Sequence, residues 1–461
     1  MKKRMAISAM VLAVCAFTVA TANAAVTLIA NGTLTGSSAG YYTDLSGLHY
    51  NLENGVSASL LGGLGSGIAW ASGNTFLALP DRGPNAVSYN SAVDDTVSYI
   101  NRFHTVSMKL TPNVGPGLPF ILTPTLKSTT LLFNGWPLSY GTGQGVGLGS
   151  GAPSRNNKVR YYFTGRSDNF DPSQNSGNNL DARYDTEGIR VSNDGKWVFI
   201  SDEYGPYVYQ FNRANGMRWR VMTLPSHFYV SNLSPVGATE IANNTSGRTA
   251  NKGMEGLAIT PDGRTLLGFM QAALVQDNLQ GGKAKKVLRF VTIDIASGQW
   301  THEYAYNLTA GSGVSEVVAI NNHEFLVDER DGSGLGNGDA AVVKQLFKID
   351  ISNATDVSNM DGLTAAKNAV SKTLWLDLVA ALNAAGIPST EIPAKIEGVA
   401  FGADVVDNTG NKLHTLWIAN DNDFVQDYSG PNTNPNLFYV FGFTDADLPD
   451  YVPQAFTPSA R

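Results

Sequence analysis

Between Tyr184 and Gly205 the chain reads YDTEGIRVSNDGKWVFISDEYG. Two short apolar runs are separated by the turn Asn193-Asp194-Gly195 and closed at both ends by acidic residues. Apolar runs of this length, rich in β-branched and aromatic residues and bounded by turn formers, predict strands; the Gly-containing turn between them predicts a hairpin. The pattern returns along the chain. Residues 251–271 read NKGMEGLAITPDGRTLLGFMQ, residues 65–83 GSGIAWASGNTFLALPDRG, and residues 314–331 VSEVVAINNHEFLVDERD. KIEGVAF (395–401) continues, after an insertion, into LHTLWIANDND (413–423). Each unit opens on an acidic residue or serine and finishes on polar, usually acidic, residues. The interval is 15 residues from Glu187 to Asp202 and from Ser66 to Asp81, 16 from Glu255 to Gln271, 12 from Glu316 to Asp328, and 24 from Glu397 to Asp421.

A hairpin repeated at about 40–80 residues, with room for four strands per unit, predicts an all-β fold, a β-propeller. Six blades are favoured and seven are the alternative. The exception is LTAAKNAVSKTLWLDLVAALNAA (Leu363 to Ala385), whose helical spacing ends at Gly386 and Pro388 and predicts one short helix on a loop near Leu378. Residues 25–461 read as a single propeller domain.

Composition changes the setting. Lys2, Lys3 and Arg4, an apolar run from Met5 to Ala20 and the small residues Ala22 and Ala24 predict a signal peptide over residues 1–24, hence a secreted or periplasmic protein. The only cysteine, Cys15, lies inside that leader, so thiol and disulfide chemistry are excluded from the mature chain. Net charge is −7, and −10 once the leader's three basic residues are removed. No basic block remains to bind nucleic acid, and no later apolar run is long enough for a membrane span.

In a propeller, equivalent positions of the inner strands converge on one axis. Glu187, Glu255, Glu316 and Glu397 are expected to face the channel as an acidic ring, with Asp81, Asp202, Asp328 and Asp421 near the far ends of the hairpins; Glu187, Glu255 and Glu397 share a Glu-Gly context. Ser66 is a degenerate first member, and Glu316, followed by Val317 instead of glycine, is left out of the expected metal ligands. Converging carboxylates repel and raise one another's pKa; a divalent cation removes the repulsion, and oxygen-only ligands favour Ca²⁺, with Mg²⁺ as the alternative. The expected metal ligands are therefore Glu187, Asp202, Glu255, Glu397 and Asp421. Catalysis is expected at Glu187, Glu255 and Glu397, and Arg82, Lys252 and Arg330 are expected to offset substrate negative charge. The competing explanation is structural, with each Glu accepting backbone N–H bonds or pairing with Arg82, Arg190, Arg264 or Arg330. Six scattered histidines lack zinc-site spacing, Gly36–Gly40 lacks the setting of a nucleophile elbow, and the Gly-rich stretch from Gly141 to Ser154 lacks the ending of a phosphate loop.

Taken together, LPDRGPN (Leu79 to Asn85), the stretches from Tyr184 to Asn212 and from Asn251 to Leu274, FLVDERDG (Phe325 to Gly332), KIEGVAFG and WIANDNDF resemble, in order, a bacterial secreted family described as having esterase-like activity of phytase. The resemblance implies a propeller that hydrolyses phosphate or other small-molecule esters. Better-understood propeller phytases bind substrate phosphate and activate water with clustered Ca²⁺. The expectation is a secreted metal-dependent ester hydrolase acting on phosphoesters. Its alternatives are a non-catalytic binding module with a structural acidic ring, and a metal-dependent lactonase.

Overall fold

Each hairpin anticipated from the sequence forms the two inner strands of an antiparallel sheet, four-stranded in the first four blades and extended in the fifth by the short strand Val405–Val406. The computed structural model describes residues 26–84, 89–143, 148–205, 207–426 and 434–457; the leader expected at residues 1–24 lies outside them. The first blade has inner strands Gly67–Trp70 and Thr75–Leu79 and outer strands Arg102–Pro112 and Phe120–Leu131. Thr186–Val191, Trp197–Asp202, Val208–Asn212 and Arg218–Met222 form the second. The third runs Met254–Ile259, Thr265–Met270, Val287–Asp294 and Gln299–Asn307, and the fourth Gly313–Ala319, Glu324–Arg330, Lys344–Asp350 and Lys372–Asp377. The fifth combines Ile396–Phe401, Lys412–Asn420 and Leu437–Phe443 with an outer strand from the other end of the chain, Thr27–Thr33.

The propeller therefore has five blades among the described residues, not six. The interval from Ser66 to Glu187 looked long enough for a further blade. It is taken up by the long outer strands of the first blade and by residues 132–185, in which the only strands described are the two-residue pair Phe133–Asn134 and Tyr161–Tyr162.

Adjacent inner strands lie side by side around the axis, the fifth returning to the first. Both faces of each blade are buried, which is why the inner strands read as continuous apolar runs instead of alternating ones. A hydrophobic cluster fills each of the five junctions, such as Ile189, Val198 and Tyr209 against Ala69, Leu77 and Phe103 between blades one and two. The Asn193-Asp194-Gly195 turn forms as expected, with Gly195 at φ +69°, a conformation that costs glycine nothing.

The helix expected near Leu378 is present as Leu378–Ala384, started by Asp377, whose side chain accepts the Ala380 N–H. The segment preceding it divides into a helix, Gly362–Lys367, and the strand Lys372–Asp377, because Thr373, Leu374, Trp375 and Leu376 complete the fourth blade. Short helices also occur at Gly237–Ala242 and Val275–Gln280. None of the described helices is long and apolar enough to cross a membrane.

The hairpin turns lie on one face of the propeller and the acidic strand ends on the other. After Phe443 the chain crosses the turn face. Val452 N–H donates to the Ile320 carbonyl of the fourth blade (2.8 Å). Gln454 Nε2 donates to the Val191 carbonyl and Asn193 Oδ1 of the second (both 2.8 Å). Phe456 meets Trp70 of the first edge-on, with centroids 5.2 Å apart.

Candidate active site

The inner strands of blades two to five carry a register shift near their starts. Thr186 pairs with Asp202 but Ile189 with Ile200; Met254 pairs with Met270 but Gly256 with Phe269; Ile396 pairs with Asn420 but Gly398 with Ala419. The extra residue in each case is a glutamate, Glu187, Glu255 or Glu397. A β-bulge redirects the side chain of its extra residue, and here the three carboxylates turn toward the axis, each with an oxygen within 4.8 Å of the others. The following glycine is needed for packing: a Cβ on Gly188 would lie 2.7 Å from Leu257 Cβ of the next blade.

In the fourth blade Val314 pairs with Glu329 and Glu316 with Asp328, so the extra residue is Ser315. Ser315 is the equivalent of the three glutamates, and Glu316 stands where they carry glycine. This one-residue offset sends Glu316 elsewhere. Its carboxylate accepts the N–H groups of Leu257 and Val317, both at 2.9 Å, and pairs with Arg190 at 2.9 Å. Arg190 also donates to the carbonyls of Ile68 (2.9 Å), Val317 (2.8 Å) and Val399 (3.4 Å), from blades one, four and five. Its guanidinium thus ties the inner strands together between the two faces.

The glutamates line a cavity of about 270 Å³ on the face opposite the hairpin turns, together with Asp81, Arg82, Glu203, Asn251, Lys252, Gln271, Ser315, Arg330, Lys395 and Asp423. All the expected charge-offsetting residues, Arg82, Lys252 and Arg330, are there. Asp421, with its side chain fully buried, forms a group with Asp81 and Asp423. Asp202 is not among the converging carboxylates. Its oxygens accept the N–H groups of Asp185 (2.9 Å), Tyr204 (3.1 Å) and Gly205 (2.5 Å), shaping the turn behind the site.

Glu203, Gln271 and Lys395 also belong to the site, though none was expected there from the sequence. Glu203 forms a further carboxylate group with Asp185 and Glu187 and accepts the Gly253 N–H at 3.1 Å. Gln271 Nε2 donates to Glu255 Oε1 at 3.0 Å. Lys395 meets Asp421, reaches Asp423 at 2.9 Å and lies 3.6 Å from Glu397. Arg82 pairs with Asp185 at 2.6 Å, and Arg330 with Glu397. The signal for Ser315 was available. Measured from the bulge, Ser315 to Glu329 is 14 residues, close to the 15 from Glu187 to Asp202, whereas the 12 residues from Glu316 to Asp328 are out of step.

Eight carboxylates (Asp81, Asp185, Glu187, Glu203, Glu255, Glu397, Asp421 and Asp423) thus gather around four cations, Arg82, Lys252, Arg330 and Lys395. Burial, then Glu255 and other neighbouring carboxylates, push Glu187 well above the usual carboxylate range; burial with Glu203 and Glu397 does the same for Glu255. Burial, reinforced by Asp185, raises Glu203 to about 7. Burial opposes the charge on Lys395, but Asp421, Asp423 and Glu397 outweigh it and hold the ammonium well above its ordinary value.

Glu255 Oε2 is buried and meets no donor among the described residues, and a second carboxyl, Glu203, lies within hydrogen-bonding reach of Glu255. Acceptor against acceptor is stable only with a proton or a cation between. The donor set is all oxygen, as hard divalent cations prefer, so the buried group Glu187, Glu255 and Glu397 has the composition and spacing to hold one.

Residues 59–424 match the Phytase-like family, described as "Esterase-like activity of phytase". An uncharacterized secreted protein of the fungus Arthroderma benhamiae is 28% identical over 303 residues, covering 58% of this chain and 55% of the relative. The chain thus spans about half the length of that relative, and a fungal relative leaves the expected restriction to bacteria unsupported. Among solved structures, a luciferin-regenerating enzyme aligns at TM-score 0.33 and 10% identity, covering 82% of this chain and 92% of the other. Hydrazine synthase of Kuenenia stuttgartiensis aligns at TM-score 0.29 and 11% identity, covering 83% and 80%.

Proposed function

We propose, for a chain that belongs to the Phytase-like family of esterase-like activity, hydrolysis of small ester substrates, phosphoesters foremost, at the acidic mouth of the propeller. The family and the fold fit a hydrolase. The observation that carries the metal-assisted form of this reading is the bulge-directed convergence of Glu187, Glu255 and Glu397, with Glu255 Oε2 lacking a donor. These three would hold Ca²⁺, or Mg²⁺, with Asp421 nearby. A divalent cation in such a site supplies charge to a substrate oxygen and lowers the pKa of an attacking water.

The chain's own residues supply the rest. Arg82, Lys252 and Arg330 offset the negative charge of the substrate, and Gln271 orients Glu255. Glu203, set against Glu255 and raised to about 7, is placed to take or return a proton near neutral pH. Arg190 and the tail across the turn face leave the acidic face as the route for substrate and product. Secretion, with processing after Ala24, belongs to the same reading; it rests on the leader pattern and on the secreted relative.

A second reading draws on the ion pairs of Arg330 and Lys395. These neutralise part of the ring internally, as a structural ring in a binding module would require. Turnover of a chromogenic phosphoester, a carboxylic ester and a lactone panel, each with and without chelator, separates the readings. Chelator-sensitive phosphoester hydrolysis supports the first. Preference for lactones moves the assignment to a lactonase, and no turnover of any substrate favours the binding module.

A further inference from the structure

Arg330 is held at three points. Its Nε donates to Ser315 Oγ at 2.7 Å, one terminal nitrogen donates to the Asp331 carbonyl at 3.3 Å, and the other meets Glu397. Two of these anchors belong to its own blade, and only the contact with Glu397 crosses to the next. The pair is nearly desolvated, with side-chain exposures of 11% for Arg330 and 2% for Glu397. Glu397 is also one of the three carboxylates converging within 4.8 Å, beside the donor-less Glu255 Oε2. A divalent cation on those carboxylates and a guanidinium on Glu397 would be like charges at close range in a low-dielectric site. Lys395 is 3.6 Å from Glu397 and is retained by Asp421 and Asp423. Arg330 is therefore the group that must yield.

We propose that Arg330 and a divalent cation exchange at Glu397, and that the displaced guanidinium, still anchored through Nε to Ser315, turns into the mouth as the receptor for an anionic group of the substrate. The inference rests on the metal reading above and adds a linkage to it. Cation and anion binding favour one another, and by reciprocity each raises the other's affinity by the same factor. Ser315 is a positioning residue in this scheme, fixing the pivot about which the guanidinium turns. The substrate class is narrowed to small esters that carry a phosphate or similar oxyanion within reach of Arg330.

Isothermal titration of the mature chain tests this with two probes, CaCl₂ and methylphosphonate. The wild type should bind methylphosphonate at least about tenfold more tightly when Ca²⁺ is saturating, within the usual range for linked sites. Arg330→Gln should bind Ca²⁺ more tightly than wild type, because its competitor is gone, yet show little Ca²⁺ enhancement of methylphosphonate binding. Ser315→Ala should keep Ca²⁺ binding and lose much of the enhancement. Arg330→Lys, which retains the charge without the Nε anchor, provides a second variant if the glutamine form does not fold, and should also lose most of the enhancement. If Ca²⁺ binds but Arg330→Gln gains no affinity for it, or keeps the full enhancement, the exchange is wrong while the metal reading stands. If neither wild type nor variant binds Ca²⁺ or Mg²⁺, both are overturned.

Discussion

Arg190 of the second blade and Glu316 of the fourth meet at 2.9 Å, with side-chain exposures of 7% and 0%. The pair closes a network that reaches inner-strand carbonyls of blades one, two, four and five. Removing one member strands the other in a dry site. Arg190→Met should therefore destabilise the protein by about 3–5 kcal/mol, the usual cost of breaking a buried pair. Arg190→Met with Glu316→Leu should recover part of that loss, because no unpaired charge remains. Urea denaturation of the four forms of the cycle checks both statements.

Glu255→Gln should leave the far-ultraviolet circular dichroism unchanged and weaken Ca²⁺ binding by about 10–100-fold, the range known even for groups one layer out from a metal. In the wild type, Ca²⁺ at a hundredfold excess over its Kd should add about 2.7 kcal/mol of stability by mass action, read as a rise in Tm by calorimetry. A Tm indifferent to Ca²⁺, with ester turnover unchanged in the glutamine variant, would leave the ring a structural device.

Stability without added metal should fall as pH rises through neutrality. Burial raises Glu203, Glu316 and Asp421 to about 7 in the folded chain, against about 4 when unfolded. Between those values the folded state holds more protons than the unfolded one, so the stabilisation is fully present below about pH 4 and is lost as pH rises through about 7. Thermal melts in chelator should show Tm declining from pH 5 to pH 8, and Ca²⁺ should flatten the slope. A Tm that climbs over this range would contradict the assigned shifts.

Ending the chain after Asp450 removes the tail that crosses the turn face. Loss of the Gln454 hydrogen bonds and of the contacts of the half-buried Tyr451 and Phe456 should lower stability by about 1–3 kcal/mol, since full burial of one large side chain is worth about 1.5–3 kcal/mol. The acidic mouth lies on the other face, so KM for a chromogenic ester should not move below the new melting transition. A change in KM without a change in Tm would place the tail in the substrate path.

The hairpins were legible because the blade junctions demand apolar runs on both faces and the turns demand Gly at positions such as Gly195. The convergence of Glu187, Glu255 and Glu397 was legible through the shared Glu-Gly, which the structure explains as a bulge followed by close packing on the next blade. The blade number was not, because long loops and a missing blade occupy the same interval in a sequence. Asp202 was misleading: an acidic residue at a strand end can just as well gather backbone N–H groups from the next turn. Glu203 was hidden by its neighbour, since of two adjacent acids only the one on the axial side of the strand end reaches the mouth, and Asp202-Glu203 gives no hint of which.

The fifth blade joins strands far apart in the sequence, with Thr27 opposite Gly442 and Thr33 opposite Leu437. Thr27–Thr33 must therefore wait, unpaired, until Leu437–Phe443 has been made. Pairings this distant in sequence form slowly and leave an open strand edge during the delay. Until they form, Glu397 and Lys395 have no finished blade to stand on. Closure of the mouth around Glu187, Glu255 and Glu397 thus waits on this pairing, and a chain cut between Phe401 and Leu437 would carry all three glutamates without a finished fifth blade.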